Sequence, residues 1–238
     1  MARRHPFAAS AYIVSISVAA LFAAIVLWRG SLNSAGLGIF LLIMALGALA
    51  HAYPIQGFRH QAYQVTLPFI VLAAALFDGV ELLAFIALIH VAEQIRLRRP
   101  WHIQWFNFCN YFVSAALASA IYHRAVALVA DGALGYLVAA LATACSFILF
   151  NRLLLSGILW LARGLLPFES GLFLPELLAA DLVIAWVAGP MLVVAIEAGP
   201  WTVLVTAGPL LLARPALNAL LSRNDRPRPA SRVEMPAA

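Results

Sequence analysis

Two early stretches, residues 9–28 and 36–53, contain no Asp, Glu, Lys or Arg, and similar apolar runs recur to about residue 212. An apolar run of about 20 residues crosses the ~30 Å hydrocarbon layer as a helix. The composition leaves little alternative: 64% of the 238 residues are hydrophobic and 11% are charged, with a mean hydropathy of +0.95. Soluble domains carry about 45–50% apolar and about 25% charged residues. These values exclude a soluble enzyme, a disordered regulator and a secreted disulfide scaffold, and predict an all-α polytopic membrane protein.

The basic residues are all arginine. Without lysine there is no amine for a Schiff base to retinal or pyridoxal phosphate. The sequence pI near 9.8 is read as loop topology rather than nucleic-acid binding. Cys109 and Cys145 fall within apolar runs, where a free thiol behaves as a small hydrophobe.

The runs are placed at residues 9–28, 36–53, 65–77, 80–92, 104–122, 136–161, 175–196 and 201–212. The third and fourth are short and divided by Asp78-Gly79, a turn signal. Read as a tight hairpin they make eight spans with both termini cytoplasmic; read as one kinked span they reverse every later loop. Arginine counting favours the hairpin, since only Arg29 and Arg124 then fall outside, whereas Arg96, Arg98 and Arg99 fall inside with the other ten. The expected organisation is a transmembrane domain over residues 1–221 and a polar, disordered tail over residues 222–238, in a bacterial inner membrane. The spacing of Ala115/Ser119 and Ala116/Ala120 predicts close helix packing.

Polar side chains inside apolar spans are costly and mark candidate sites. Here they are His51, Glu81, His90, Glu93, Asn107, Asn110, Asn151 and Asp181. His90 and Glu93 share a helical face by their three-residue spacing. Four readings compete. Asn107, Asn110, Asn151, Asp181, His90 and Glu93 can line a small-molecule pocket. His51, His90 and Glu93 can hold a metal or move a proton, although no HExxH-type spacing supports it. His51 and His90 are the one pair able to ligate a haem. Finally, these groups can pair with one another, with Arg152 or with loop backbone to fix helix packing. The working expectation is ligand binding without metal or cofactor. Ser156-Gly157 lacks the flanking glycine of a nucleophile elbow, and no glycine-rich phosphate loop occurs.

Several short strings occur in a recognisable order: Val65-Thr66-Leu67-Pro68-Phe69, Arg98-Arg99-Pro100-Trp101, Phe106-Asn107-Phe108-Cys109-Asn110-Tyr111, Ile121-Tyr122, Phe150-Asn151-Arg152-Leu153-Leu154, Gly199-Pro200-Trp201 and Pro209-Leu210-Leu211-Leu212. Over roughly residues 50–220 this resembles the polytopic N-terminal membrane domain that precedes HD-GYP or GGDEF signalling domains in bacteria. The resemblance implies a membrane sensor or ligand-receiving module, with Asn107 and Asn151 as the family-like polar positions. No HD, GYP or GGDEF sequence is present, so cyclic-dinucleotide chemistry does not transfer. The expected function is therefore a non-enzymatic sensor-type or accessory subunit that binds a small ligand or partner helices in the bilayer. The expected partners are lipid, another membrane or cytoplasmic protein and a small molecule, but no nucleic acid. The alternative is a transporter, or the substrate-binding membrane component of one, to which the short paired spans point.

Overall fold

The computed structural model describes residues 6–28, 36–53, 55–56, 62–63, 65–129, 132–209 and 211. The polar tail of residues 222–238 and Asp131 lie outside them. The fold is all-α: α1 (Pro6–Leu27), α2 (Leu37–Ala52), α3 (Leu67–Leu76), α4 (Gly79–Leu97), α5 (Trp101–Leu128), α6 (Ala133–Arg163) and α7 (Pro175–Glu197). A short antiparallel pair, Ile55–Gln56 with Ala62–Tyr63, sits between α2 and α3. After α7, Pro200–Thr202 forms a 3-10 turn and residues 203–209 are helical.

Local chemistry accounts for the boundaries. Asp78 caps α4 with its side chain on the Val80 and Glu81 amides, and Glu81 Oε2 returns to the Asp78 amide at 3.2 Å. This reciprocal arrangement satisfies donors that a helix start leaves open. Buried Glu81 is thereby accounted for as part of a cap. Gly164, at φ 71°, ends α6 in the left-handed conformation that suits a residue without Cβ. The Asp78-Gly79 signal does divide two helices, but they do not form a tight hairpin. Helix α3 packs chiefly on α7 and α5, whereas α4 packs chiefly on α2 and α5. The expected loop around Ile95–Trp101 is also shorter than the charges suggest. Helix α4 runs to Leu97, and α5 starts at Trp101 behind Pro100, whose fixed φ suits a helix entry.

Among the described residues, four helices are long and apolar enough to cross a membrane: α1, α5, α6 and α7. Helix α2 has 16 residues and α3 has 10. At about 1.5 Å per residue, α3 reaches about half of a ~30 Å layer. It lies in the centre of the molecule, with Leu67 through Ala74 all buried. Phe69 of α3 and, around the helix, Phe85, Phe112 and Phe147 are the largest fully buried side chains. The outside is apolar too: Val18, Phe22 and Ile25 of α1 and Val183 and Trp186 of α7 are exposed. A surface of that kind is stable against lipid and not against water. The small-residue face of α5 does pack inward at Ala115, Ala116 and Ser119, where Ser119 Oγ donates to the Ala74 carbonyl at 2.7 Å, while Ala120 is exposed.

Candidate functional site

Among the described residues, the intramembrane polar side chains gather in two places. On α6, Asn151 and Arg152 are neighbours, and each serves a different adjacent helix. Asn110 Nδ2 of α5 donates to Asn151 Oδ1 at 2.7 Å, and the Arg152 guanidinium pairs with the Asp181 carboxylate of α7. All four are buried. These are the pairings the packing alternative foresees, and they tie α5, α6 and α7 together. Asn107, one turn before Asn110 on α5, is only half-buried.

The second gathering joins residues far apart in the chain. His51 stands at the end of α2, His90 and Glu93 lie on one face of α4, and Gln104 is in the first turn of α5. His51 Nε2 and His90 Nδ1 approach Glu93 Oε2 at 3.6 and 3.5 Å. The other carboxylate oxygen, Oε1, meets Arg99 at 3.1 Å. Gln104 Nε2 donates to the His90 carbonyl at 2.7 Å and to Glu93 Oε2 at 3.2 Å. Reversing that amide would set its oxygen against the His90 carbonyl, so the hydrogen bonds themselves orient it. The remaining nitrogen of His51, Nδ1, lies 3.2 Å from Thr66 Oγ1.

Three local devices assemble this cluster. Arg96, near the end of α4, donates to the Ala52 carbonyl and lies over the Tyr53 ring, 4.1 Å from its centroid, which binds the end of α2 to α4. Arg98 takes the left-handed conformation (φ 48°), uncommon outside glycine, and turns Arg99 back toward Glu93. Gln94 Nε2 holds that turn by donating to the Arg99 carbonyl at 2.9 Å. Behind the cluster, Tyr111 packs edge-on to both imidazoles, with ring centroids 5.3 Å from His51 and 4.8 Å from His90.

Beside it a cavity of about 270 Å³ opens between α4 and α5. Its walls are largely apolar, with Trp101, Trp105 and Phe108 on the α5 side. Trp101 and Trp105 stack with centroids 6.3 Å apart. Three polar side chains line it, His90, Gln94 and Gln104, and each carries a buried atom with no hydrogen bond: His90 Nε2, Gln94 Oε1 and Gln104 Oε1. A buried polar atom left unpaired costs about 1–3 kcal/mol, but these three are closed off from the cavity, whose exposed surface is almost wholly apolar.

Of the expected site residues, His90 and Glu93 therefore share one cluster, Asn110 and Asn151 form a pair, Asp181 answers Arg152, and Asn107 joins neither arrangement. Gln104, Thr66, Arg99 and Tyr111 belong to the site but were not singled out by the sequence. Thr66, Arg99 and Tyr111 stood within the strings that carry the sensor-domain resemblance, and Gln104 left a weaker signal, as an amide between two tryptophans at a helix start. The haem reading fails on geometry: His51 and His90 have ring centroids 4.9 Å apart at 76°, with no room between them for a macrocycle. Comparison with family models, with curated proteins and with solved structures found no match.

Proposed function

We propose that this protein is a non-enzymatic membrane receptor or accessory subunit that binds a small, largely apolar molecule between α4 and α5. The observation that carries this reading is the apolar α4–α5 cavity, walled by Trp101, Trp105 and Phe108. Concave, mostly apolar pockets are the usual form of small-molecule sites. The stacked tryptophans suit a flat, ring-sized apolar body. Such a molecule reaches the cavity from the bilayer. This fits the sensor-domain resemblance, in which occupancy is passed to a partner protein through loops such as Arg98–Pro100.

The accompanying topology has both termini in the cytoplasm and an inner-membrane location, and counts α3, of half-membrane length, as one of eight crossings. It rests on the arginine distribution, and reporter fusions in the α4–α5 and α5–α6 connections test it. A fusion at Arg98–Pro100 is expected to report the same side as one at the N-terminus, and a fusion beside Gly132 the opposite side. A second reading, a transporter, is favoured by α3, a buried helix of half-membrane length like those that transporters place at binding sites.

Native mass spectrometry of the protein extracted gently from its own membranes tests the receptor reading. A defined small mass is expected on the chain, and is expected to vanish in Ala87→Phe, which fills the cavity and keeps the polar side chains. Wild-type protein with no bound small molecule, or a ligand retained by Ala87→Phe, overturns it. Substrate-dependent uptake into liposomes would move the function to transport.

A further inference from the structure

His51, His90 and Glu93 each offer one donor atom, and the three lie within 4.8 Å of one another. We infer that they bind one divalent first-row transition-metal ion of the zinc type, through an imidazole nitrogen from each histidine and Oε2 of Glu93. This goes beyond the ligand cavity, with which it shares His90, and it stands or falls on metal binding alone.

The spacing is the first argument. An ion bound tetrahedrally at about 2.0–2.1 Å from its ligands sets ligand–ligand edges of about 3.4 Å. The edges from Glu93 Oε2 to His51 Nε2 and to His90 Nδ1 are 3.6 and 3.5 Å. Both are longer than the 2.7–3.2 Å of an N–H···O hydrogen bond. The nitrogens thus face the carboxylate at a distance that suits a shared cation better than a proton between them. The third edge, between one nitrogen of each imidazole, falls within 4.8 Å.

Burial is the second argument, and it is independent of the spacing. His51 is 9% exposed and His90 is 3% exposed, and His51 Nε2 makes no hydrogen bond. An imidazole nitrogen removed from water without a partner costs free energy that a metal–nitrogen bond recovers. In the tautomer where Nδ1–H donates to Thr66 Oγ1, His51 directs a lone pair from Nε2 at the carboxylate. That contact is repulsive with nothing between and attractive with a cation between.

The surroundings are those of a prepared ligand set. Metal-binding histidines characteristically donate their second ring nitrogen to a fixed acceptor, here Thr66 for His51. Arg99 and Gln104 hold the two oxygens of Glu93, at 3.1 and 3.2 Å. Tyr111 wedges both imidazoles in place. Arg99 opposes the ion electrostatically, but its side chain is 39% exposed, so water screens it. Two imidazoles and one carboxylate suit zinc, nickel, iron or copper, whereas calcium and magnesium prefer oxygen ligands throughout. Three protein ligands leave the fourth position for water or for a donor atom of a bound molecule.

The test uses the full chain in detergent, free of any affinity tag, stripped with a chelator and titrated with Co²⁺, then with Zn²⁺ in competition. Expected are one equivalent of bound metal by elemental analysis and visible ligand-field bands that Zn²⁺ abolishes. His51→Ala and Glu93→Gln are expected to weaken binding more than 100-fold. Thr66→Val keeps all three ligands and is expected to weaken it about 10–100-fold. His123→Gln, a histidine outside the cluster, is expected to leave it unchanged. Circular dichroism and a monodisperse elution profile establish that each variant is folded. No saturable binding by the folded wild type overturns the inference, as does binding undiminished in every folded variant of His51, Glu93 and Thr66.

Discussion

Gly47 of α2 lies against the ring of Phe85 of α4: a Cβ built on Gly47 would stand 2.8 Å from Cζ and closer still to Cε2. Phe85 is fully buried, so a methyl at position 47 would push its ring into the packed core. This contact sits one turn before His51, so the distance between α2 and α4 at Gly47 also sets the approach of His51 to His90. Gly47→Ala is therefore expected to destabilise the fold by about 1–3 kcal/mol through overpacking, despite alanine's better helix propensity. Thermal unfolding in detergent reads the loss. An unchanged or raised melting temperature would show that the two helices are not held at this separation.

The Asn110–Asn151 hydrogen bond gives a second expectation. Interhelical hydrogen bonds in membranes contribute modestly, because the unfolded segments also find partners. A double-mutant cycle with Asn110→Ala and Asn151→Ala is expected to give a coupling energy of about 0.5–1.5 kcal/mol. Ligand retention in the same variants separates packing from binding: it is expected to persist, and its loss would return these asparagines to the ligand site.

Arg152 and Asp181 behave differently, because both carry charge in a buried setting. Arg152→Met leaves the carboxylate of Asp181 alone and is expected to cost about 3–5 kcal/mol. Adding Asp181→Leu removes the orphaned charge, and the double variant is expected to recover most of that loss. A double variant no more stable than Arg152→Met would show that the pair does more than neutralise itself.

At the start of α4, Asp78→Ala removes the cap on the Val80 and Glu81 amides. The expected cost is about 1 kcal/mol, within the ~0.5–2 kcal/mol range for cap removal. Asp78→Asn retains an acceptor and is expected to keep most of the stability. Equal losses in both would place the effect in charge rather than in capping.

The all-α membrane character, the helix break at Asp78-Gly79 and the shared face of His90 and Glu93 could be read from the sequence. Each depends on neighbours within a few residues, or on the lipid that long apolar runs demand. The same locality explains the pairing of polar residues only in part: Asn110, Asn151, Arg152 and Asp181 were legible as intramembrane polar groups, but not as two pairs. Which group answers which depends on helix rotation, to which a uniformly apolar helix gives little guide.

What only the tertiary structure decided is the meeting of His51 with His90 and Glu93, and of α4 with α5 around a cavity. His51 reaches the cluster because Gly47 lets α2 close on α4 and because Arg96 binds the end of α2. Arg99 reaches Glu93 through a single left-handed residue, Arg98. Gln104 acquires its role from the turn that folds α5 back on α4. A sequence determines periodicity and solvent through local interactions, whereas a site built from three helices needs the close packing that sets their distance and rotation.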